Sequence, residues 1–471
     1  MNNSKIVSSL REAISLCDLK DSMSISFHHH LRNGDFVLNM VMEEIADMGF
    51  KDLTVNASSL FDTHSELLEH IESGVVTKIC TDYMSSGLGR GISEGIMDTP
   101  VEFRTHGGRP SDIESGRTPI DIAFIAAPAS DPMGNCSGKI GKSACGSLGY
   151  AIPDAQNAKH VIIITDNIVS YPLIQWSISE INVDYVVEVP AIGNPQGIVS
   201  GTTQITRDPV GLIMADQATK VIKASGLLKD GFSFQTGAGG ASLAAAKFLK
   251  DIMVREGIKG SFGLGGITGY MVDMLNAGCF ESLLDVQCFD LKAVESIRTN
   301  PQHQEITALH YASPSSMSAV VDSLDVVILG ATEIDTNFNV NVHTDSNGYI
   351  MGGSGGHSDT AAGAKLAMII APMFRGRLPM ITDRVSCIST PGKDIDVLVT
   401  QGGIAVNPRN QELAERMRSA GLPLIDIHDL KRKAESYTGL PSKAPKGDKI
   451  VAKVISRDGG LLDNIYNVPQ K

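Results

Sequence analysis

The run Gly352-Gly353-Ser354-Gly355-Gly356-His357-Ser358-Asp359 combines stripped backbone with polar side chains. Four glycines in five positions let a ligand lie directly against main-chain N–H groups. The following stretch, Thr360 to Ile370, is Ala-rich and reads as a helix, which would place those donors at a positive helix end. That chemistry suits an anion: a phosphate, a carboxylate or an oxyanion. Three more glycine phrases repeat the theme. Thr236-Gly237-Ala238-Gly239-Gly240 joins a strand (Phe232 to Gln235) to a helix, and Gly263-Leu264-Gly265-Gly266 precedes the helical Tyr270 to Ala277. Gln401-Gly402-Gly403, continuing to Asn407 and Arg409, follows a strand at Asp396 to Thr400. Each is expected to form a turn at the carboxyl end of a strand, where open α/β sheets bind ligands. None fits a dinucleotide fingerprint or a phosphate-binding Walker loop.

The elements that must hold these turns alternate between strand and helix. Val161 to Ile164 and Val326 to Leu329 are short β-branched runs, as in strands buried on both faces of a parallel sheet. Met40 to Met48 and Ala241 to Met253 carry helical spacing. The halves also echo each other. Leu31-Arg32-Asn33-Gly34-Asp35-Phe36 is similar to Leu228-Lys229-Asp230-Gly231-Phe232-Ser233, and Ile120 to Ala127 is similar to Leu324 to Ala331. The pattern is α/β, with two tandem, duplicated open-sheet domains at 1–212 and 213–471, the second ending in a basic tail at 431–471. A cleft between them is the expected site.

The bulk numbers narrow the class. At 471 residues the chain is long enough for two or more domains, and a net charge of -13 argues against nucleic acid. Seven scattered cysteines without a C-x-x-C pair read as reduced thiols, so no disulfide frame or metal site is expected. No apolar run reaches the length of a membrane span, and the expected location is cytoplasmic. Three adjacent histidines, His28-His29-His30, cannot all face one ion from an extended segment, so packing is their expected role, with one of them open to face the site.

Taken in order, the glycine phrases resemble the CoA-transferase superfamily, with Met271 to Gly278 and Asp131-Pro132-Met133-Gly134-Asn135-Cys136-Ser137 completing the set. Ser26 to Asp35 and Phe103-Arg104-Thr105-His106-Gly107-Gly108-Arg109-Pro110 bring the chain closer to one branch, the citrate lyase α subunits. The resemblance implies a CoA-transferase-like fold and an exchange of acetate for citrate on a thioester. The thioester would belong to a phosphoribosyl-dephospho-CoA arm on an acyl-carrier (γ) subunit, with a separate β subunit cleaving the citryl product. It implies no cofactor of the chain's own and a homo-oligomer within a complex.

On this resemblance the catalytic surface would come from Gly265, Gly266, Gly355, Gly356 and His357. The arm would lie on Gly237, Gly239, Gly240, Gly263, Gly352, Gly353, Gly402, Gly403, Asn407 and Arg409. Citrate would meet Arg104, His106 and Arg109. Many transferases of the superfamily use their own glutamate as nucleophile. Its position falls here on Gly265, which has no side chain, so direct transfer is expected, with Glu333 as runner-up carboxylate. A thioester hydrolase of the same fold and a non-catalytic scaffold are the rival readings. Lys431 to Lys453 holds seven Lys or Arg against two acidic residues, a solvated tail or a docking patch for an acidic carrier protein.

Overall fold

A computed structural model describes residues 4–199, 204–440 and 446–469. Two large sheets dominate it. The first has ten strands in the order Ile6–Val7, Tyr185–Glu188, His160–Thr165, Ile122–Ala127, Ser24–Phe27, Leu53–Ala57, Val76–Thr81, Val101–Phe103, Ile450–Ile455 and Leu461–Tyr466. The second has eight: His303–Glu305, Phe280–Cys288, Gly260–Ile267, Ser233–Thr236, Val326–Leu329, Leu366–Ile370, Val397–Thr400 and Gly403–Val406. Within each sheet all neighbours run parallel except the last pair, a terminal antiparallel hairpin. The β-branched runs that read as strands do form strands, buried on both faces as parallel sheets require. One buried apolar cluster passes through both halves, taking in Ile163 and Phe234.

The duplication is visible in matched contacts. Ser24 N donates to Asp121 Oδ2 at 2.8 Å, and Ser233 N donates to Asp325 Oδ2 at 2.9 Å. Lys159 and Lys365 bind the other oxygen of those same two carboxylates. This register corrects the expected alignment. Leu31 to Phe36 follows its strand rather than leading into it. The counterpart of Leu228-Lys229-Asp230-Gly231 is instead Leu19-Lys20-Asp21-Ser22, where Ser22 adopts φ +68° against +84° at Gly231.

Three other expectations change. Thr360 to Ile370 is not one helix: His357–Gly363 is helical and Leu366–Ile370 is a strand. The β-branched and apolar end of that segment is wholly buried between two strands, and tertiary pairing overrides the helical propensity of the alanines. Gly263, Gly265 and Gly266 lie inside the strand Gly260–Ile267, at a register shift between Gly265 and Gly266, and not in a turn. The basic tail is folded over its described residues (441–445 and 470–471 lie outside them). Ile427–Thr438 is a helix, and Ile450–Tyr466 returns to the first sheet beside Val101–Phe103. Lys431 is tied to Asp383 and Glu435, and Arg432 to Asp429. The helix Pro209–Ser225 spans 212/213 and packs on Gly240–Glu256, alongside the second sheet.

Candidate active site between the two halves

The carboxyl ends of the central strands of both sheets meet at one cluster. From the first half come His28 to Arg32 after Ser24–Phe27, Asp82 and Tyr83 after Val76–Thr81, and Arg104 to His106 after Val101–Phe103. Tyr150 caps the helix Ala151–Asn157. The second half contributes Gln235, Gly265, Gly266, Phe289, Tyr311 and the loop Gly352 to Gly356.

His106 lies at the centre. Its Nδ1 is 2.9 Å from Asp82 Oδ2, and its ring stands 4.5 Å from the Tyr150 ring and 5.6 Å from His29. With Nδ1 engaged by the carboxylate, Nε2 is the ring nitrogen left without a partner among the described residues. Burial raises the Asp82 carboxyl pKa against the pull of His106. Burial likewise drives the His29 and His30 rings far down, so both stay neutral, and drives the Tyr150 phenol far up, so it stays a donor. His29 Nδ1 is 2.6 Å from Ser58 Oγ, and Gln287 Nε2 donates to the His29 carbonyl across the two halves at 2.8 Å.

Arg32, which the sequence reading passed over, is the cation of this cleft. Its guanidinium lies 5.3 Å from the Phe61 ring centroid and 4.8 Å from that of Phe289, one ring from each half. Burial lowers its pKa, with Tyr83 and Tyr150 opposing. Among the described residues no acceptor or carboxylate pairs with that guanidinium. Arg32 sits at φ +52°, in the short 3-10 turn that opens after the histidines. The only sequence signal was an arginine closing a triple-histidine phrase.

The two arginines expected to hold citrate are already occupied. Arg109 makes a bidentate pair with Asp154 (Nη1–Oδ1 2.9 Å, Nη2–Oδ2 2.6 Å) and donates from Nε to Asn56 Oδ1 at 2.8 Å, all buried. Arg104 is bound to Asp112 and Glu102. Both therefore brace the first half, and His106 alone of that trio reaches the cleft.

The glycine loop proves to be a seam more than a cradle. Gly355 N donates to Asp82 O at 3.1 Å, His106 N donates to Gly355 O at 2.9 Å, and Met84 N donates to Gly352 O at 3.2 Å. Gly353 must be bare because a Cβ there would sit 2.3 Å from Asp82 O, and one at Gly352 would sit 2.3 Å from Val342 O. Asp359, accepting from Thr105 Oγ1 at 2.8 Å and Gly107 N at 2.9 Å, fastens the same seam. Burial pushes its carboxyl up to about 6, against the nearby Arg457. Gly355 and Gly356 do face the cleft, toward His106 and Tyr311. His357 does not. Its Nδ1 is 2.8 Å from Thr390 Oγ1 and its Nε2 2.9 Å from Gly330 O, with burial lowering its pKa to about 4.

A Cβ at Gly356 would lie 2.4 Å from Tyr311 Oη. Gly356→Val is thus expected to cost about 1–3 kcal/mol by overpacking and to displace a cleft side chain. The variant should fold, melt a few degrees lower and lose at least tenfold of the acyl-exchange activity that the resemblance implies. Wild-type activity in the folded variant would take this loop out of the site.

The remaining candidates disperse. Glu333 is buried in a small three-stranded sheet, accepting from Asn341 Nδ2 at 3.1 Å and Ser386 N at 2.9 Å. It lines a separate cavity of about 530 Å³ with Lys431 and Asp463, which neither Arg32 nor His106 touches. Gly402 and Gly403 are bare because Met373 and Ile425 pack on them. Asn407 donates to Gly392 O and Ile395 O, and Arg409 lies 3.6 Å from Asp396. Gly263 makes room for Met271 and Leu283. Gly237 and Gly239 form an open turn just past Gln235, while Gly240 abuts Gln204 and Thr206. Asp285, Cys288 and His303 form one metal-like group. Their contacts are 2.9 Å (Cys288 to Asp285) and 3.0 Å (His303 to Asp285), hydrogen-bond lengths, whereas ligand atoms around tetrahedral zinc stand about 3.5 Å apart.

Comparison with known proteins bears on the family and the fold. Residues 3–468 match the family described as citrate lyase, alpha subunit. The chain is 50% identical over 464 residues to the citrate lyase α chain of Klebsiella pneumoniae, covering 98% of this chain and 91% of that one. It is 47% identical to the Escherichia coli protein, over 99% of this chain and 91% of the relative. The α subunit of citrate lyase from Streptococcus mutans, solved in complex with citrate, superposes with a TM-score of 0.98 at 48% identity, covering 100% of this chain and 92% of that one. The α subunit of an Acinetobacter baumannii malonate decarboxylase, 16% identical, shares the fold with a TM-score of 0.70 over 94% of this chain and 96% of that one. The chain therefore belongs to the citrate lyase α-subunit family.

Proposed function

We propose that the chain exchanges acyl groups on a thioester, replacing acetate with citrate on the phosphoribosyl-dephospho-CoA arm of an acyl-carrier subunit. The β subunit of the complex would then receive the citryl thioester. The observation that carries this reading is Arg32, a guanidinium without an acceptor among the described residues, held between two aromatic rings beside the Tyr150–His106 pair. A planar, always-charged fork suits one carboxylate of a tricarboxylate, and the Streptococcus mutans relative was solved with citrate.

In the exchange, one citrate carboxylate attacks the acetyl carbonyl carbon. The tetrahedral oxyanion collapses, the C–S bond breaks, and a citric–acetic anhydride and a thiolate result. The thiolate then attacks the citryl carbonyl and acetate leaves, so no net proton moves. Arg32 would hold a second carboxylate of the acid. The Tyr150 phenol, kept protonated by burial, would donate to the oxyanion. The bare strand shift at Gly265–Gly266 supports transfer without an enzyme-bound acyl intermediate, because no side-chain carboxylate projects there.

A second reading, thioester hydrolysis, draws on one feature: His106, oriented by Asp82, has the form of a base for water. One assay separates the two. Purified chain with acetyl-CoA and citrate is expected to give citryl-CoA and free acetate by mass spectrometry. It should release no thiol when citrate is omitted, and borohydride should trap no enzyme thioester. Thiol release without citrate would establish the hydrolase, and a trapped adduct would end the direct-transfer mechanism.

A further inference from the structure

Gln235 sits at the carboxyl end of the strand Ser233–Thr236, central in the second sheet. Its Nε2 donates to Tyr311 Oη at 2.9 Å, while its Oε1 is buried and has no donor among the described residues. A buried acceptor without a partner is costly, so its persistence calls for a ligand. Two glycines on separate segments make room for this pair. A Cβ at Gly265 (φ +105°) would lie 2.7 Å from Gln235 Cδ and Nε2, and one at Gly356 would lie 2.4 Å from Tyr311 Oη. The tyrosine hydroxyl accepts from Gln235, and no described group takes its proton. Burial raises its pKa, so that proton stays.

The pair thus offers one spare acceptor and one spare donor, side by side. The neighbouring residue Gly266 lies against the Phe289 ring, which in turn carries the Arg32 guanidinium. Gly265 and Gly266 are consecutive, so the Gln235–Tyr311 pair and the Phe289–Arg32 pair pack on adjoining residues of one strand. We infer that Gln235 is a specificity-determining residue that accepts the hydroxyl hydrogen of a hydroxylated polycarboxylate, with Tyr311 holding the amide and donating to a carboxylate oxygen of the same acid. The inference rests on the transferase reading above and adds to it the part of the acid that is recognised.

The chemistry predicts discrimination against the same tricarboxylate without its hydroxyl, since that acid leaves the buried oxygen unpaired. Citrate and propane-1,2,3-tricarboxylate should be compared as acceptors from acetyl-CoA, with wild type, Gln235→Leu and Tyr311→Phe, checking each variant's melting curve. Wild type is expected to prefer citrate at least tenfold in kcat/KM. Gln235→Leu should lose most of that preference through a higher KM for citrate, with the deoxy acid little changed. Tyr311→Phe should move the same way by less. A preserved citrate preference in folded Gln235→Leu overturns the inference. So does an equal loss of kcat with both acids, which would put Gln235 on the thioester instead. Failure of wild type to use either acid would count against the transferase reading itself.

Discussion

Replacing Arg32 with alanine is expected to lower kcat/KM for citrate by about 10²–10³-fold while the protein still folds. A charge-assisted hydrogen bond contributes roughly 1.5–3 kcal/mol, and a bidentate carboxylate pair makes two of them, here beside the buried His29 and Tyr150. At about 1.4 kcal/mol per factor of ten, the loss of 3–4 kcal/mol gives that range. Stability should suffer little, because the side chain forfeits only its two aromatic contacts, about 0.5–1 kcal/mol each at most sites. Arg32→Lys keeps the charge but not the fork and should fall between the two. Steady-state kinetics with citrate, beside a melting curve, make the check. A variant within threefold of wild type would show that the acid binds elsewhere.

Arg109 predicts the opposite division of effects. Removing one partner of a buried ion pair costs about 3–5 kcal/mol, because a charge is left without compensation. Arg109→Met would strand Asp154, and a drop on the order of 10 °C in the melting transition is expected. The sign with pH follows from the carboxylate. In the native protein burial opposes ionisation of Asp154, but Arg109 and His28 more than offset it and hold its pKa below the usual range. Its stabilising contribution is therefore present above the unfolded value near 4 and lost as the pH falls below that. In the variant only His28 is left to oppose burial, so the Asp154 pKa rises and the deficit should shrink as pH is lowered from 7.5 toward 5. Arg109→Met combined with Asp154→Leu should recover much of the loss, since no orphan charge remains. An unchanged Tm in the single variant would mean that this pair does not brace the first half.

The sequence made some parts of this arrangement legible and hid others for definable reasons. Strands such as Val326–Leu329 announce themselves because burial on both faces demands a continuous apolar run. His106 was recoverable from its glycine-rich phrase. Arg104 and Arg109 were misplaced because charge density says nothing about partners, and Asp154 lies 45 positions from Arg109. Arg32 escaped for the reverse reason: its importance lies in lacking a partner, which no local pattern encodes. Glycine was informative about close approach but not about what approaches. At Gly353 and Gly402 the neighbour is protein, while at Gly265 and Gly356 it is the Gln235–Tyr311 pair facing the cleft. Gln235 itself reads as one polar residue in a strand, distinguished only by an oxygen left unsatisfied in three dimensions.

The return of Ile450–Ile455 to Val101–Phe103 also bears on how the chain is made. The strand at Val101 leaves the ribosome about 350 residues before its neighbour, which at 5–20 residues per second is a wait of roughly 20–70 s. Through that interval the nascent first sheet carries an open edge, the kind of surface that recruits stray strands. Pairing of Ile450–Ile455 closes that edge, so a segment synthesised long after the first sheet serves as its stopper.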